Sequence, residues 1–190
     1  MKILRIFVGE RGSDGIWSIH LPGEKQNEFD KFFDITNDIE WLHNFFEKNK
    51  HDLLTGFFGR LTTSEAVLRT LEEVEEMEDV LYNFAQQGFK NRYTCLQHLF
   101  KPLNNFEYAI TCHQKSKARI KRGWLRLYAI RLAENCYLVT GGAIKLTFDM
   151  KREHLQREIV KLDLAKTLLR NNGIDYPEDL NIFHHEQSTR

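Results

Sequence analysis

The sequence has little cysteine, little proline and no net charge, and the first two shortages each exclude a class of protein. Its three cysteines (Cys95, Cys112 and Cys136) are a small and odd number, which argues against a disulfide framework. Only 3 of the 190 residues are proline and 42% are hydrophobic, so the composition is that of a globular chain rather than a disordered one.

Long apolar runs are also missing. No stretch approaches the roughly 20 apolar residues that span a bilayer. The apolar run in the opening MKILRIFVGERG is too short for a signal peptide. We therefore expect a cytoplasmic protein with no membrane partner and no cofactor.

The zero net charge, 27 basic against 27 acidic residues, hides a segregation along the chain. Residues 65–79 carry seven acidic side chains and one basic one, whereas residues 115–132 carry seven basic side chains and no acidic one. This asymmetry indicates an anionic partner for the basic stretch. It leaves either solvent or a basic partner for the acidic one.

Two pairs of residues carry metal-binding atoms at short spacing. They are Cys95 with His98, and Cys112 with His113. Neighbouring residues on a strand point to opposite faces, so Cys112 and His113 would not share a tetrahedral site. We therefore predict no metal site.

The hydrophobic patterns predict an α+β fold, with an antiparallel sheet, an N-terminal hairpin and flanking helices. KILRIFV and GIWSIHL alternate as a hairpin, and TTSE is a capping box that opens an amphipathic helix over about 63–87 with an acidic outer face. FEYAITC, WLRLYAIRL and CYLVTGGAIKL are typical of strands, and AEN connects the last two. A final helix over about 151–172 ends at Gly173.

We expect a single domain over 1–190. The hairpin and first helices occupy about 1–98, and a sheet with a C-terminal helix occupies about 99–173. The rest, 174–190, is predicted to be a solvated tail that holds His184 and His185.

The basic stretch combines a predicted loop with a strand. Its basic residues are Lys115, Lys117, Arg119, Lys121, Arg122, Arg126 and Arg131. Alternation along the strand puts Arg126 and Tyr128 on one face and Leu125 and Leu127 on the other. A cationic loop folded over the Arg126 face would suit a phosphodiester. The residues alone leave nucleic-acid contact and a solvated sheet edge both open.

Residues 99–173 run from LFKPLNNFEYAI through the basic connector into WLRLYAIRLAENCYLVTGGAIKLT and a Lys/Glu-rich helix. This order resembles the RelE/ParE-like superfamily of bacterial toxins, and most closely its phage-derived HigB-like branch. The resemblance implies an enlarged RelE-like α+β toxin of a type II toxin-antitoxin system. Such a toxin cuts messenger RNA on the ribosome without a metal and is silenced by a cognate antitoxin protein.

Position by position, the resemblance matches Arg126 to the arginine of the family's central strand. It matches Lys145 and Thr147 to a Lys-Lys-Thr-like signature whose second lysine is Leu146 here. We assign phosphate stabilisation to Arg126, phosphate contact to Lys145, and proton transfer or base stacking to Tyr128. The predicted RNA contacts are Lys115, Lys117, Arg119, Lys121, Arg122 and Arg131.

A second hypothesis keeps the scaffold without the catalysis: a non-catalytic RNA- or protein-binding module. Poisoning of DNA topology, another activity of the superfamily, lies between the two. The hypotheses differ in one geometric requirement, because cleavage needs Arg126, Tyr128 and Lys145 around one phosphate.

Overall fold

A computed structural model describes residues 1–9, 12–55, 57–91, 93–104 and 111–188. The strands are β1 (Lys2–Val8), β2 (Gly15–His20), β3 (Lys101–Pro102), β4 (Gln114–Ala118), β5 (Leu125–Ala133) and β6 (Cys136–Ile144). The helices are α1 (Glu28–Asn37), α2 (Ile39–Lys48), α3 (Lys50–Thr55), α4 (Thr63–Lys90), α5 (Glu153–Asn171) and α6 (Pro177–Ser188), with a 3₁₀ turn at Leu96–His98. The predicted α+β class is confirmed.

The six strands form one sheet in the order β1-β2-β6-β5-β4-β3. Four of its five pairings are antiparallel, but β2 and β6 are parallel, so the sheet is mixed where we expected an antiparallel one. The reason is that β2 and β6 are far apart in the chain, and no hairpin turn fixes their relative direction. Through this pairing the N-terminal hairpin becomes part of the same sheet as β3–β6.

Helices cover both faces of the sheet. Helices α1, α2 and α4 pack on one face, where Leu125, Leu127 and Val139 are buried. Helices α5 and α6 pack on the other, around Tyr128 and Ile130. The predicted alternation along β5 is confirmed, and helices pack over the part of the sheet that holds Tyr128 and Ile130.

Helix α4 begins as predicted. Thr62 accepts a hydrogen bond from the Glu65 amide, and the Glu65 carboxylate accepts one from the Thr62 amide, which completes the capping box. The helix continues past Gly88, which lies against the Asn135 side chain at a position where a Cβ would overlap it. Asn135 in turn accepts a hydrogen bond from the Leu96 amide at 3.1 Å.

The structure differs from the predicted elements in three places. The predicted loop over 115–122 contains strand β4, and the predicted tail over 174–190 contains helix α6. The predicted strand FEYAITC lies mostly outside the described residues, and its last two residues belong to a coil and a turn. Within the described ranges, no helix is both long enough and apolar enough to span a membrane.

Helix α6 packs on the N-terminal hairpin. Leu180 is fully buried with Ile3 and Trp17, and the His184 ring bonds to the Ile3 carbonyl with a separation of 3.0 Å. Its first turn is fixed by Asp179, whose carboxylate accepts hydrogen bonds from two preceding amides at 2.9 and 3.0 Å. His184 therefore belongs to a packed helix, not to a solvated tail.

Candidate functional site

A cavity of about 550 Å³ lies at the end of the sheet where β4 passes to β5 and where β6 ends. Arg126, Tyr128 and Lys145 all line it, so the three residues assigned to catalysis surround one space. The lining includes six cationic side chains: Lys101, Lys117, Arg119, Arg122, Arg126 and Lys145. Among the described residues that line it, none is acidic.

Strand register explains the convergence. Lys117 of β4 lies directly opposite Tyr128 of β5, and Arg126 is two residues from Tyr128 on the same face. Arg126 is paired with Ala143 near the end of β6, and Lys145 follows that strand. Three neighbouring strands therefore bring one cation each to the same end of the sheet.

The start of β5 is anchored by Glu73 of helix α4. Its carboxylate accepts hydrogen bonds from the amides of Trp124 at 3.1 Å and Leu125 at 2.7 Å. Burial raises the pKa of Glu73, and these amide bonds oppose the shift. A Cβ at Gly123 would overlap the carboxylate, so a larger residue at this position would displace the anchor. Arg126 follows this anchor directly.

The turn before β5 is held by the same helix. Arg69 donates a hydrogen bond of 2.7 Å to the Arg122 carbonyl, and its guanidinium lies 4.5 Å from the centre of the Trp124 ring. Arg122 has a φ of 64°, in the left-handed region that costs a non-glycine residue roughly 1–2 kcal/mol. A strained backbone that carries a cation into the cavity is a functional indication.

The cations around the cavity are partly removed from water and repel one another. Burial lowers the pKa of Lys117, and the charges of Arg126 and Arg119 lower it further. Burial also lowers the pKa of Lys145, as do the charges of Arg126 and Lys117. An anion in the cavity would relieve this repulsion, so the electrostatics favour an anionic ligand.

Backbone carbonyls, which carry no net charge, orient these groups. Arg126 donates to the Gly123 carbonyl at 3.0 Å and to the Leu125 carbonyl at 2.6 Å. Lys145 donates to the carbonyls of Thr147 at 2.6 Å and Phe148 at 2.7 Å. Such bonds fix the side chains without neutralising them, which preorganises the site for a ligand with negative charge.

Tyr128 is less accessible than its predicted role requires. Its side chain is fully buried, and its hydroxyl contacts the Met150 sulfur at 3.6 Å. Burial raises the pKa of the phenol, so the hydroxyl stays protonated near neutral pH. It can donate a hydrogen bond at the floor of the cavity, but the phenolate form needed of a general base is disfavoured.

Three of the predicted RNA contacts do not line the cavity. Lys115 forms an ion pair of 2.6 Å with Asp163 of α5. Arg131 lies on the opposite face of β5, where it bonds to the Tyr137 hydroxyl. Lys121 is exposed in the turn that precedes Arg122.

Sequence reasoning missed the aromatic rim. Phe57 and Phe148 line the mouth of the cavity, and their ring centres are 5.2 Å apart in an edge-to-face contact. Phe58 lies behind Phe57 and packs edge to face on Trp124, with 5.2 Å between ring centres. The doublet in TGFFGR follows a short helix and has no periodicity, so no pattern connects it to residue 148.

One further group of side chains carries metal-binding atoms. Cys112, His113 and Asp175 bring their sulfur, nitrogen and oxygen atoms within 4.8 Å of one another. Our expectation that Cys112 and His113 would point apart is wrong, because they precede β4 and His113 has a φ of 55°. The His113 ring is hydrogen-bonded to the Ile174 carbonyl, at 2.7 Å, so it secures the α5–α6 link.

Comparison with protein-family models, curated proteins and solved structures returned no match. The resemblance to RelE/ParE-like toxins therefore stays a prediction.

Proposed function

We propose that this cavity binds the phosphodiester backbone of RNA. The observation that carries the proposal is its charge: six cationic side chains line it, and no acidic one does among the described residues. Arginine binds phosphate oxygens bidentately and lysine acts as a point charge, so the mixture suits a backbone with successive phosphates. The preorganised guanidinium of Arg126 is the central contact.

We further propose that the bound RNA is cut without a metal, as the resemblance implies. A ribose 2′-oxygen would attack the adjacent phosphorus and pass its proton to a lysine amine. The P–O5′ bond would break to leave a 2′,3′-cyclic phosphate, and the 5′-oxygen would take a proton from the ammonium of the other lysine. Arg126 would stabilise the charge on the pentacoordinate phosphorus. Burial and the neighbouring cations lower the pKa of Lys117 and Lys145, which raises the fraction of neutral amine, so we assign the base to one of these two lysines in place of Tyr128.

In this proposal the protein is the toxin of a type II toxin-antitoxin system and acts on ribosome-bound messenger RNA in the cytoplasm. A cognate antitoxin would silence it by covering the cationic cavity. A second function, RNA binding without cleavage, is favoured by one observation: Tyr128 is fully buried, so one of the three predicted catalytic groups is not open to solvent.

The test is cleavage of a defined messenger in a purified translation system, with and without ribosomes. It compares the wild type with Arg126→Ala, Lys145→Ala and the control Arg170→Ala, an exposed cation on α5. We expect ribosome-dependent cuts that fall at least about 100-fold in the first two variants and persist in the control.

Because Arg126 is largely buried, Arg126→Lys is included, and circular dichroism verifies that each variant is folded. Loss of cutting in a folded Arg126→Lys protein shows that charge alone is insufficient. Binding of RNA without any cutting would replace the toxin with a binding module. Absence of both would contradict the proposal.

A further inference from the structure

Two aromatic side chains at the mouth of the cavity are mostly exposed to solvent. Phe57 is 70% exposed and Phe148 is 83% exposed, although each ring touches the other. They come from different parts of the chain, the turn after α3 and the loop after β6. A contact between two rings that leaves both in water is poorly explained by packing alone.

Both rings are held from behind. Phe57 contacts Phe58 edge to face, with 5.5 Å between ring centres, and Phe58 rests on the buried Trp124. Phe148 is positioned through its backbone, because the Lys145 ammonium donates to its carbonyl at 2.7 Å. The rings therefore have a fixed support while their outer surfaces stay free, as expected of a stacking platform.

The cation that positions Phe148 is also one of the six that line the cavity. A ligand that satisfies the whole surface needs an anionic group for the cavity and a flat apolar group for the rings. A nucleotide unit has both, at a separation fixed by its ribose. An acidic peptide offers the charge without necessarily offering the ring, and a duplex offers phosphates while its bases remain stacked inside.

We infer that Phe57 and Phe148 bind an unpaired nucleobase of the RNA whose phosphate occupies the cationic cavity. This inference depends on the proposed function, and it adds that the substrate is single-stranded. One base stacks on the exposed ring surfaces while Arg126 and Lys145 contact the adjacent phosphate. The platform tolerates different bases, because every base has a face on which to stack.

The experiment compares a short single-stranded RNA with an oligonucleotide of the same length and charge that lacks bases. Affinity is measured by fluorescence anisotropy for the wild type, Phe57→Ala, Phe148→Ala and Arg126→Ala. Tyr93→Ala, which removes an exposed aromatic residue that does not line the cavity, is the control.

We expect each phenylalanine substitution to weaken binding of the RNA about tenfold and to leave binding of the abasic strand unchanged. Arg126→Ala should weaken binding of both ligands, and Tyr93→Ala should weaken neither. Duplex RNA should bind the wild type more weakly than the single strand does.

Equal losses on the two ligands in Phe57→Ala and Phe148→Ala, or no loss on either, would overturn the platform. If Arg126→Ala still weakens both ligands, the phosphate site survives that result. If the wild type binds neither ligand, the proposed function itself fails and the platform with it. An acidic peptide that displaces the RNA only from proteins with intact rings would assign the surface to a protein partner instead.

Discussion

At the residue scale, the site depends on a few side chains that hold backbone in place. Glu73 supplies both of its carboxylate oxygens to amides at the start of β5, and Arg69 holds the carbonyl of the strained Arg122. The acidic residues of α4 therefore fall into two groups. Glu73 is buried beneath the cavity, whereas Glu72, Glu75 and Glu76 are exposed and do not line it.

Arg122 gives the clearest residue-scale prediction. Substitution Arg122→Gly should maintain or raise the free energy of unfolding, by up to about 1 kcal/mol, because glycine adopts the left-handed region without strain. The same change should weaken RNA binding, since it removes a cavity cation. Urea denaturation and anisotropy measure the two effects. Arg122→Ala, which removes the charge but keeps the strain, is the matched control, and it should lose affinity without gaining stability.

At the residue scale, part of the site could be predicted from the sequence. Alternation along β5 correctly puts Arg126 and Tyr128 on the same face of the sheet. Arg131 is an odd number of residues from both, so the same alternation puts it on the opposite face. The assignment of proton transfer or base stacking to Tyr128 needs an accessible side chain, and alternation predicts the face of a residue without predicting what covers that face. Tyr128 is buried because α5 packs over that face. This packing is a tertiary contact, so no local sequence pattern predicts it.

At the scale of elements, two segments were hidden by their composition. Strand β4, QKSKA, has no large apolar residue: its buried face consists of Gln114, Ser116 and Ala118, and its other face carries Lys115 and Lys117. The prediction of a solvated tail over 174–190 misses helix α6, because Gly173 and Pro177 together are typical of the end of the preceding helix. Proline is also frequent at the first position of a helix, which Pro177 occupies in α6. The Asp179 carboxylate then caps the first turn, and Leu180 is buried.

Three elements meet at a buried charged cluster that makes stability depend on pH. Lys161 of α5 donates to Glu158 at 2.7 Å and to Glu28 of α1 at 2.5 Å, beside Gly141 of β6. Burial raises the pKa of Glu158 from 4.5 to about 7, against the opposing effect of Lys161. The second carboxylate, Glu28, and the more distant Lys31 also act on it.

Because its pKa is higher in the folded state than in the unfolded one, Glu158 binds its proton more tightly when folded. Its contribution is complete below about pH 4.5 and is lost as the pH rises through about 7. The loss is roughly 3 kcal/mol, from about 1.4 kcal/mol for each pKa unit. Urea denaturation between pH 4.5 and 8 should show this fall in the wild type and a flatter profile in Glu158→Gln. Glu153→Gln, an exposed position on the same helix, should retain the wild-type profile; an unchanged slope in Glu158→Gln would contradict the assignment.

At the scale of the whole molecule, the clustered basic and acidic residues lie on different surfaces: basic residues line the cavity, and most acidic residues of α4 are exposed outside it. The sequence has a pI near 7.1, so there is no overall field to attract a polyanion. At physiological salt the screening length is about 8 Å. The cavity therefore attracts RNA through its own charges. The exposed acidic residues of α4 influence RNA binding only if they lie within this screening length of the bound RNA.

This locality is measurable in the salt dependence of RNA binding. For single strands, the logarithm of the affinity falls with the logarithm of the salt concentration by about 0.7 for each phosphate contact. Six cavity cations set a limit of about −4 for the slope. Lys145→Ala should reduce the magnitude of the slope by about 0.7, and Arg170→Ala should leave it unchanged. A slope near zero in the wild type would show that the cavity cations do not contact RNA phosphates, which would contradict the proposed function.

The parallel pairing of β2 with β6 has a consequence for biosynthesis. Gly15 pairs with Cys136, so one edge of β2 stays without its partner strand from its synthesis until the chain has extended through β6, while β1 pairs with the other edge. During that interval the nascent hairpin can neither complete the sheet nor bury Trp17 against its final neighbours. The cationic cavity, whose last residues lie beyond β6, forms later still. The chain must therefore extend through Met150 before all the residues that line the cavity are present.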